Sequence, residues 1–324
     1  MKVLSGMRPT GKLHLGHLVG ALSQWLKLQE EHTCFFMVAD WHALMSEYKN
    51  PHLIQEYTLD NVKDWLSCGI HPQKSCIFIQ SQVREHLELF MILSCLTPLG
   101  WLYRCPTYKD QIQQLKDKEL SNYGFLGYPV LQTADIIIYK AEGVPVGEDQ
   151  LPHLELAREI IRRFHFLYKK EIFPEPQAIL SSFPRLLGLD SRKMSKSFNN
   201  IISLQEEPEV VKKKVMSMFT DPLRIRRTDP GHPLKCNVYS YYKAFKPSMI
   251  EEVKDWCENA KQGCTDCKRR LAQIIIEVLA PIQEKRRQLD KKSDYVFDII
   301  KEGNKKARSV ASKTLEEVRE LLKL

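Results

Sequence analysis

Two short strings in this chain carry residue types suited to phosphate. Ser5–Gly20 reads SGMRPTGKLHLGHLVG, and its core, His14-Leu15-Gly16-His17, falls where a short apolar strand gives way to an amphipathic helix. A helix start presents unpaired backbone N–H groups and the positive end of the helix dipole, and both attract anions. Gly16 allows close backbone approach, and the two imidazoles add side-chain donors. The bland alternative is a basic turn that caps an ordinary helix. The second string, Lys193-Met194-Ser195-Lys196-Ser197, places two ammonium groups and two hydroxyls in a polar loop. Mobile point cations suit charge developing on a leaving phosphate, although taken alone the run reads as a solvated basic loop.

The nine cysteines divide into two groups. Cys34, Cys68, Cys76, Cys95 and Cys105 stand singly in apolar surroundings, as small core residues do. Cys236, Cys257, Cys264 and Cys267 cluster with the spacing Cys-x20-Cys-x6-Cys-x2-Cys. In a reducing compartment such a group points to metal rather than to disulfides. A Cys-x2-Cys pair occurs in both zinc and iron–sulfur sites, so the residues alone leave both open.

The elements that must position these groups show in the hydrophobic pattern. Val3-Leu4, Cys34–Ala39 and Cys76–Gln80 read as buried strands. Residues 17–29, 53–67 and 85–96 carry apolar positions at helical spacing, stopped by Gly69 and Pro98 in the last two cases. This alternation predicts an α/β fold, a Rossmann-type doubly wound parallel sheet. In such sheets the strand-to-helix turns face the ligand crevice. A polar stretch, 106–123, interrupts the pattern, and Pro129 is placed for the first turn of a helix starting at Tyr128. Val144–Val146 is extended, Gly147-Glu148-Asp149-Gln150 forms a turn, and 151–167 is helical. The remainder is mostly helical, with segments at 208–219, 250–261, 268–288 and 313–322.

The 324 residues suffice for two domains, drawn here as a catalytic domain over 1–198 and a helical domain over 199–324 whose last helix packs back on the first. Hydrophobic and charged fractions of 43% and 27% are those of a soluble globular protein. No apolar run is long enough for a membrane helix and the first twenty residues lack a signal-peptide core, so the expectation is a cytoplasmic protein with no membrane association. A net charge of +8 permits a polyanionic partner such as RNA without requiring one.

HLGH followed by KMSKS, on either side of strand–helix alternation, resembles the two signatures of class I aminoacyl-tRNA synthetases. Within that class, SGMRPTGKLHLGH with VADWHAL (38–44), YPVLQTAD (128–135) and VPVGEDQ (144–150) resembles the tryptophanyl-tRNA synthetases. TDP at 220–222, APIQEKR at 280–286 and KKAR at 305–308 extend the resemblance almost to the end. The tyrosine enzymes are the nearest relatives, but they usually carry a GGSDQ-like or GGMEQ-like turn where this chain has GEDQ. Three letters depart from the usual pattern: Arg8, where relatives often have Gln; His17, where many have Asn; and Tyr103, where Glu is common.

The resemblance implies activation of L-tryptophan by ATP to tryptophanyl-adenylate and pyrophosphate, then transfer to tRNA(Trp), by a homodimer. The attacking carboxylate is already ionised at neutral pH, so no general base is needed and catalysis reduces to positioning and electrostatics. His14, His17, Lys193 and Lys196 are the implied catalytic residues. The ATP site would draw on Arg8, Pro9, Thr10, Gly16, His17, Gly147, Glu148, Asp149, Leu186 and Lys193 through Ser197, that is Met194, Ser195 and Lys196 as well. Magnesium would shield the phosphates without a protein cage. Asp135 would accept the indole N–H, and Tyr128, Gln132 and Gln150 would hold the rest of tryptophan. The competing role for Asp135 is an ion pair on a helix face. The four cysteines resemble those of a subset of bacterial members holding a four-iron four-sulfur cluster, with zinc as the alternative, near the anticodon-binding helices. Rival readings are a tyrosine-specific synthetase, a nucleotidyltransferase sharing the HxGH turn, and a synthetase-like RNA-binding protein without activity.

Overall fold

Apolar runs without alternation must be covered on both faces, and these segments form the centre of a sheet. In the computed structural model, which describes residues 1–105, 120–180, 186–192, 194 and 198–324, β1 (Lys2–Met7), β2 (Thr33–Val38), β3 (Ser75–Ile79), β4 (Gly143–Val146) and β5 (Gln177–Leu180) pair in parallel. Their order is β3-β2-β1-β4-β5, the doubly wound arrangement expected of a Rossmann-type fold. Met7 lies opposite Val38, and Val38 opposite Ile79, so the carboxyl ends of the first three strands finish level. Strand order reverses between β1 and β4, and the crevice of such a sheet opens at that point.

The contacts divide the described chain into two compact units. One holds Met1–Gly11, Gln24–Ser181 and Lys292–Leu324; the other holds Lys12–Ser23 and Ser182–Lys291. The division therefore differs from a single cut after residue 198, because a strand-like pairing ties the HLGH segment to residues of the second unit. Leu15 N donates to Ile202 O at 3.0 Å and Leu204 N to Leu13 O at 3.0 Å.

In the first unit the helix Ser293–Leu322 packs against edge strand β3 and the helices Glu85–Leu96 and Tyr123–Ile138. It covers an edge whose backbone groups would otherwise be open to pairing. Ile79 N donates to Asn304 Oδ1 at 2.9 Å, and the Cys76 thiol to Gly303 O at 3.3 Å. Gly303 is required by this approach: a Cβ there would stand 1.7 Å from Ile77 O. Gly69, at φ 107°, ends the helix His52–Cys68 in the left-handed region, as its position in the sequence predicts.

The second unit is helical beyond its loops, with Pro208–Met216, Asn237–Phe245 and Ile250–Glu258 gathered around or beside Cys264–Asp290. The APIQEKR string lies in the last of these. Its Gln283 donates to Leu204 O and Glu206 O at 3.0 and 2.9 Å. Asp221 of TDP accepts from the backbone N of Leu223 and His232 at 3.0 and 2.7 Å, closing a turn.

Several boundaries differ from the sequence reading. The helix expected to start at Tyr128 begins at Tyr123, capped by Asn122, and runs through Pro129. The segment 313–322 is the end of a helix starting at Ser293. The helices Asp40–Glu47, Leu99–Arg104 and Asn237–Phe245 and strand β5 lacked a clear sequence signal. Most of the polar stretch 106–123 lies outside the described residues.

Because the neighbour of Gly303 is a backbone carbonyl, Gly303→Ala must displace the helix. The expected cost is about 1–3 kcal/mol, read as a lower denaturant midpoint; an unchanged midpoint would contradict so tight a contact.

Candidate active site

Leu4–Gly6 on β1 and Arg8 after it, Met37 and Ala39 at the end of β2, and Val144–Val146 on β4 with Gly147 after it surround a cavity of about 380 Å³. It lies at the switch point where strand order reverses, and its size is that of a small-molecule site. One wall is the helix Tyr123–Ile138. Spacings of four and three residues bring Tyr128, Gln132 and Asp135 to one face of that helix, and all three line the cavity, with Gln150 and His42.

Asp135 is the buried end of this site, with 1% exposure. Its Oδ1 lies 2.6 Å from His86 Nδ1 and its Oδ2 2.8 Å from His42 Nε2. Gln80 Nε2 donates to both oxygens at 2.8 and 2.9 Å. Burial alone would raise this carboxyl. The hydrogen bonds from His42 and His86, with their charges, outweigh it and hold the group down to about 2. Asp135 is thus an ionised acceptor at the buried end of the cavity. The ion pair weighed for it on sequence grounds is present, with His42 and His86 at ion-pair distance, but it lies buried at the cavity rather than on an open helix face. Behind His86, Nε2 meets the Tyr139 hydroxyl at 2.8 Å. Burial pushes that phenol well above its ordinary range, so it remains protonated.

A second chain of hydrogen bonds supports the other polar side chains of the cavity. The Tyr128 hydroxyl pairs with His153 Nε2, and His153 Nδ1 lies 3.1 Å from Gln150 Oε1. Burial lowers His153 to about 4, against the raising effect of Asp149. The imidazole is therefore neutral at pH 7. It donates to Gln150 and accepts from Tyr128, fixing both side chains at the cavity. Arg8, placed with the nucleotide on sequence grounds, is an exposed residue lining this same cavity. Thr10 N closes a tight turn on Arg8 O at 2.9 Å, across Pro9. Gly147 lines the cavity, whereas Glu148 and Asp149 are exposed and do not.

In the second unit His14 caps the helical start. Its Nδ1 accepts from Gly16 N at 3.1 Å, and His14 N donates to His17 Nδ1 at 3.2 Å. The two rings stand 3.9 Å apart. The helical path then widens into a π-type turn over Leu18–Leu22. Met194 comes against this start, 2.7 Å from where a Cβ on Gly16 would be. HLGH and the methionine of KMSKS are thus neighbours despite their separation in sequence. Lys193, Ser195, Lys196 and Ser197 lie outside the described residues. Leu186 is buried near a turn in which Gly188 N donates to Arg192 O at 2.7 Å.

Cys236, Cys257, Cys264 and Cys267 all line one cavity of about 30 Å³, walled by Val238, Val253 and Trp256. Arg224 lies at its edge, with Nη1 3.9 Å from Cys264 Sγ and a buried Nε that has no partner among the described residues. Burial raises Cys257 to about 11 and Cys267 to about 12, so as free thiols they are protonated. Among the described residues, no three His, Cys, Asp or Glu side chains are grouped as a single-ion site.

Sequence reasoning located Asp135, Tyr128, Gln132 and Gln150, and the structure brings all four to one cavity. It did not find His42, Gln80, His86, Tyr139 or His153 as parts of the site. For His42 a signal existed in VADWHAL; the others come from separate elements with no common spacing. Tyr103 is exposed on the helix Leu99–Arg104 and does not line the cavity.

Comparison with known proteins places this geometry. The sequence family described as tRNA synthetases class I (W and Y) matches residues 1–280. The tryptophan–tRNA ligase of Thermotoga maritima is 54% identical, with the alignment covering 100% of this chain and 99% of that protein. That of Aquifex aeolicus is 43% identical, with 100% of each covered. The crystal structure of tryptophanyl-tRNA synthetase from Campylobacter jejuni complexed with ADP and tryptophan matches with a TM-score of 0.89 at 33% identity, covering 100% of both chains. The chain belongs to the class I tRNA synthetases of the tryptophan and tyrosine type. Within them it is a member of the tryptophanyl-tRNA synthetase family.

The neutral, buried His153 has a pH consequence. Between its ordinary value near 6.5 and about 4 the unfolded chain binds a proton that the folded chain does not, so stability falls as pH drops through that window. His153→Gln should flatten this part of the profile, by on the order of 1 kcal/mol between pH 7 and 5. Parallel melting curves for the two proteins would contradict the assignment.

Proposed function

We infer that this chain, a tryptophan–tRNA ligase, binds L-tryptophan in the cavity beside Asp135, with the indole N–H donated to that carboxylate. The indole N–H is a donor only, and an ionised carboxylate is an acceptor only. The buried Asp135 carboxyl, lining the cavity and met by donors from His42, Gln80 and His86, is the observation that carries this reading. A ring without such a donor leaves the charge underpaired, which is how a polar site rejects phenylalanine. Tyr128 and Gln150, held by His153, and half-buried Gln132 are assigned to the ammonium and carboxylate end of the amino acid.

The nucleotide is assigned to the HLGH start and the KMSKS loop. His14, Gly16 and His17 present backbone and imidazole groups to phosphate, and Lys193 and Lys196 neutralise the departing pyrophosphate, with Ser195 and Ser197 as hydroxyl donors. The contact of Met194 with Gly16 supports bringing these two strings to one ligand. Arg8, Pro9, Thr10, Gly147, Glu148, Asp149 and Leu186 complete the assignment, and magnesium enters with ATP. No residue need act as a general base, because the substrate carboxylate is already ionised.

The four-cysteine cavity is proposed to hold a four-iron four-sulfur cluster. Four thiols face one small apolar space with a guanidinium at its edge, a donor set and a counter-charge that fit a polynuclear thiolate group. Such a group reaches thiolates that a single ion does not. When bound, it would cross-link the helices Asn237–Phe245, Ile250–Glu258 and Cys264–Asp290, which we assign to anticodon recognition. Exposed Met91, Leu99, Tyr103 and Tyr123 support a homodimer through the first unit. No helix among the described residues is long and apolar enough to cross a membrane, in keeping with a cytoplasmic enzyme.

In ATP–pyrophosphate exchange, Asp135→Ala should raise the KM for tryptophan by at least about tenfold while the KM for ATP stays within a few-fold. Equal effects on both would contradict the indole assignment. Anaerobically purified protein should absorb at about 400 nm and lose the band in Cys264→Ser; colourless protein with stoichiometric zinc would overturn the cluster.

A further inference from the structure

Among the described residues that donate to Asp135, only His42 belongs to the cavity wall. Gln80 and His86 are both fully buried and line no part of the cavity. We propose that Gln80 and His86 are positioning residues that hold the Asp135 carboxylate as an oriented acceptor and thereby set the preference for a substrate ring bearing an N–H. The proposal rests on the indole assignment above and deepens it.

A carboxylate has about four lone-pair directions. In this site His86 and Gln80 take two on Oδ1, while His42 and Gln80 take two on Oδ2. The donors on the buried side cannot be reached by a ligand. His42 can, since its side chain is 12% exposed against 0% for His86. An entering indole N–H therefore exchanges with His42 at Oδ2, donor for donor, while the other two keep the carboxylate in place.

Two further contacts make the buried donors permanent. The Tyr139 hydroxyl lies 2.8 Å from His86 Nε2. Because Nδ1 faces a carboxylate, which only accepts, that nitrogen carries a proton, and the hydroxyl holds the opposite edge of the ring. Tyr139 itself is fixed by stacking on Phe35, at 4.6 Å between ring centres, and by Phe78 edge-on at 5.4 Å. Gln80 has its Nε2 on the carboxylate and its Oε1 buried without a partner among the described residues. A flipped amide would set Oε1 against two carboxylate oxygens, so only this orientation holds. Rotation of the carboxylate would break both sets of bonds at once.

The test compares two substrates in ATP–pyrophosphate exchange: tryptophan, and 3-(benzothiophen-3-yl)alanine, in which sulfur replaces the N–H. The reading is the ratio of their kcat/KM values. His86→Leu removes the donor and should lower this ratio by at least about tenfold, through the KM for tryptophan. His86→Asn offers an amide N–H near the position of Nδ1 and should keep the ratio within about threefold of the parent, even if loss of the Tyr139 contact lowers its melting temperature. Should His86→Leu fail to fold, Gln80→Met reads the same ratio and should also lower it. A variant that slows both substrates equally, or a ratio that Asn does not restore, overturns the positioning role. A parent enzyme with no preference between the two substrates instead overturns the indole assignment itself.

Discussion

An ionised carboxylate removed from water costs several kcal/mol unless donors replace its hydration. Asp135 meets that condition with three side chains from three places: His42 after β2, Gln80 at the end of β3, and His86 on the helix that follows. These can converge only because the parallel strands end level and their carboxyl ends turn toward the same side. The sheet, the covering helices and the cavity at the switch point are thus tied to a single buried charge. Removing one donor would leave an uncompensated charge rather than a simple vacancy, and the proposed selectivity rests on that. A carboxylate accepts only from rings that can donate.

The site uses burial in two opposite ways. At Asp135, donors overcome burial and preserve the charge; at His153, burial prevails and removes it. The first yields a fixed anion for an N–H. The second yields a neutral imidazole that donates one way and accepts the other, orienting Gln150 and Tyr128. In the proposed site, specificity and substrate orientation rest on side chains that need not touch the amino acid. The phosphate chemistry is assigned elsewhere, to the capped HLGH start, where His14 and His17 secure each other through backbone and ring contacts.

Much of this was legible from residues alone. Continuous apolar runs marked β2 and β3, Gly69 marked a helix end, and HLGH with KMSKS marked the family. Asp135, Tyr128, Gln132 and Gln150 were legible through local strings. The support behind Asp135 was not, because Gln80, His86 and Tyr139 are separated in sequence and joined only by the sheet. Pro129 misled because a proline favours a first turn, yet here it sits inside a helix whose cap, Asn122, lies further back. The division into units was hidden for a related reason. Pairing of 13–15 with 202–204 is a backbone event that side-chain patterns do not report.

The central claim is that Asp135 stays ionised in its buried site, and carboxyl carbon NMR of protein labelled at aspartate Cγ tests it directly. Asp135→Asn assigns the resonance. Because hydrogen bonds from His42 and His86 outweigh the burial that would raise it, the signal should keep its ionised position from pH 7 down to pH 4 and move only as pH nears about 2. The stability drawn from this group would then be lost only at the acid end of the range, below the ordinary aspartate value. A midpoint above about 5 would mean that burial, not its donors, governs Asp135, and would contradict the account.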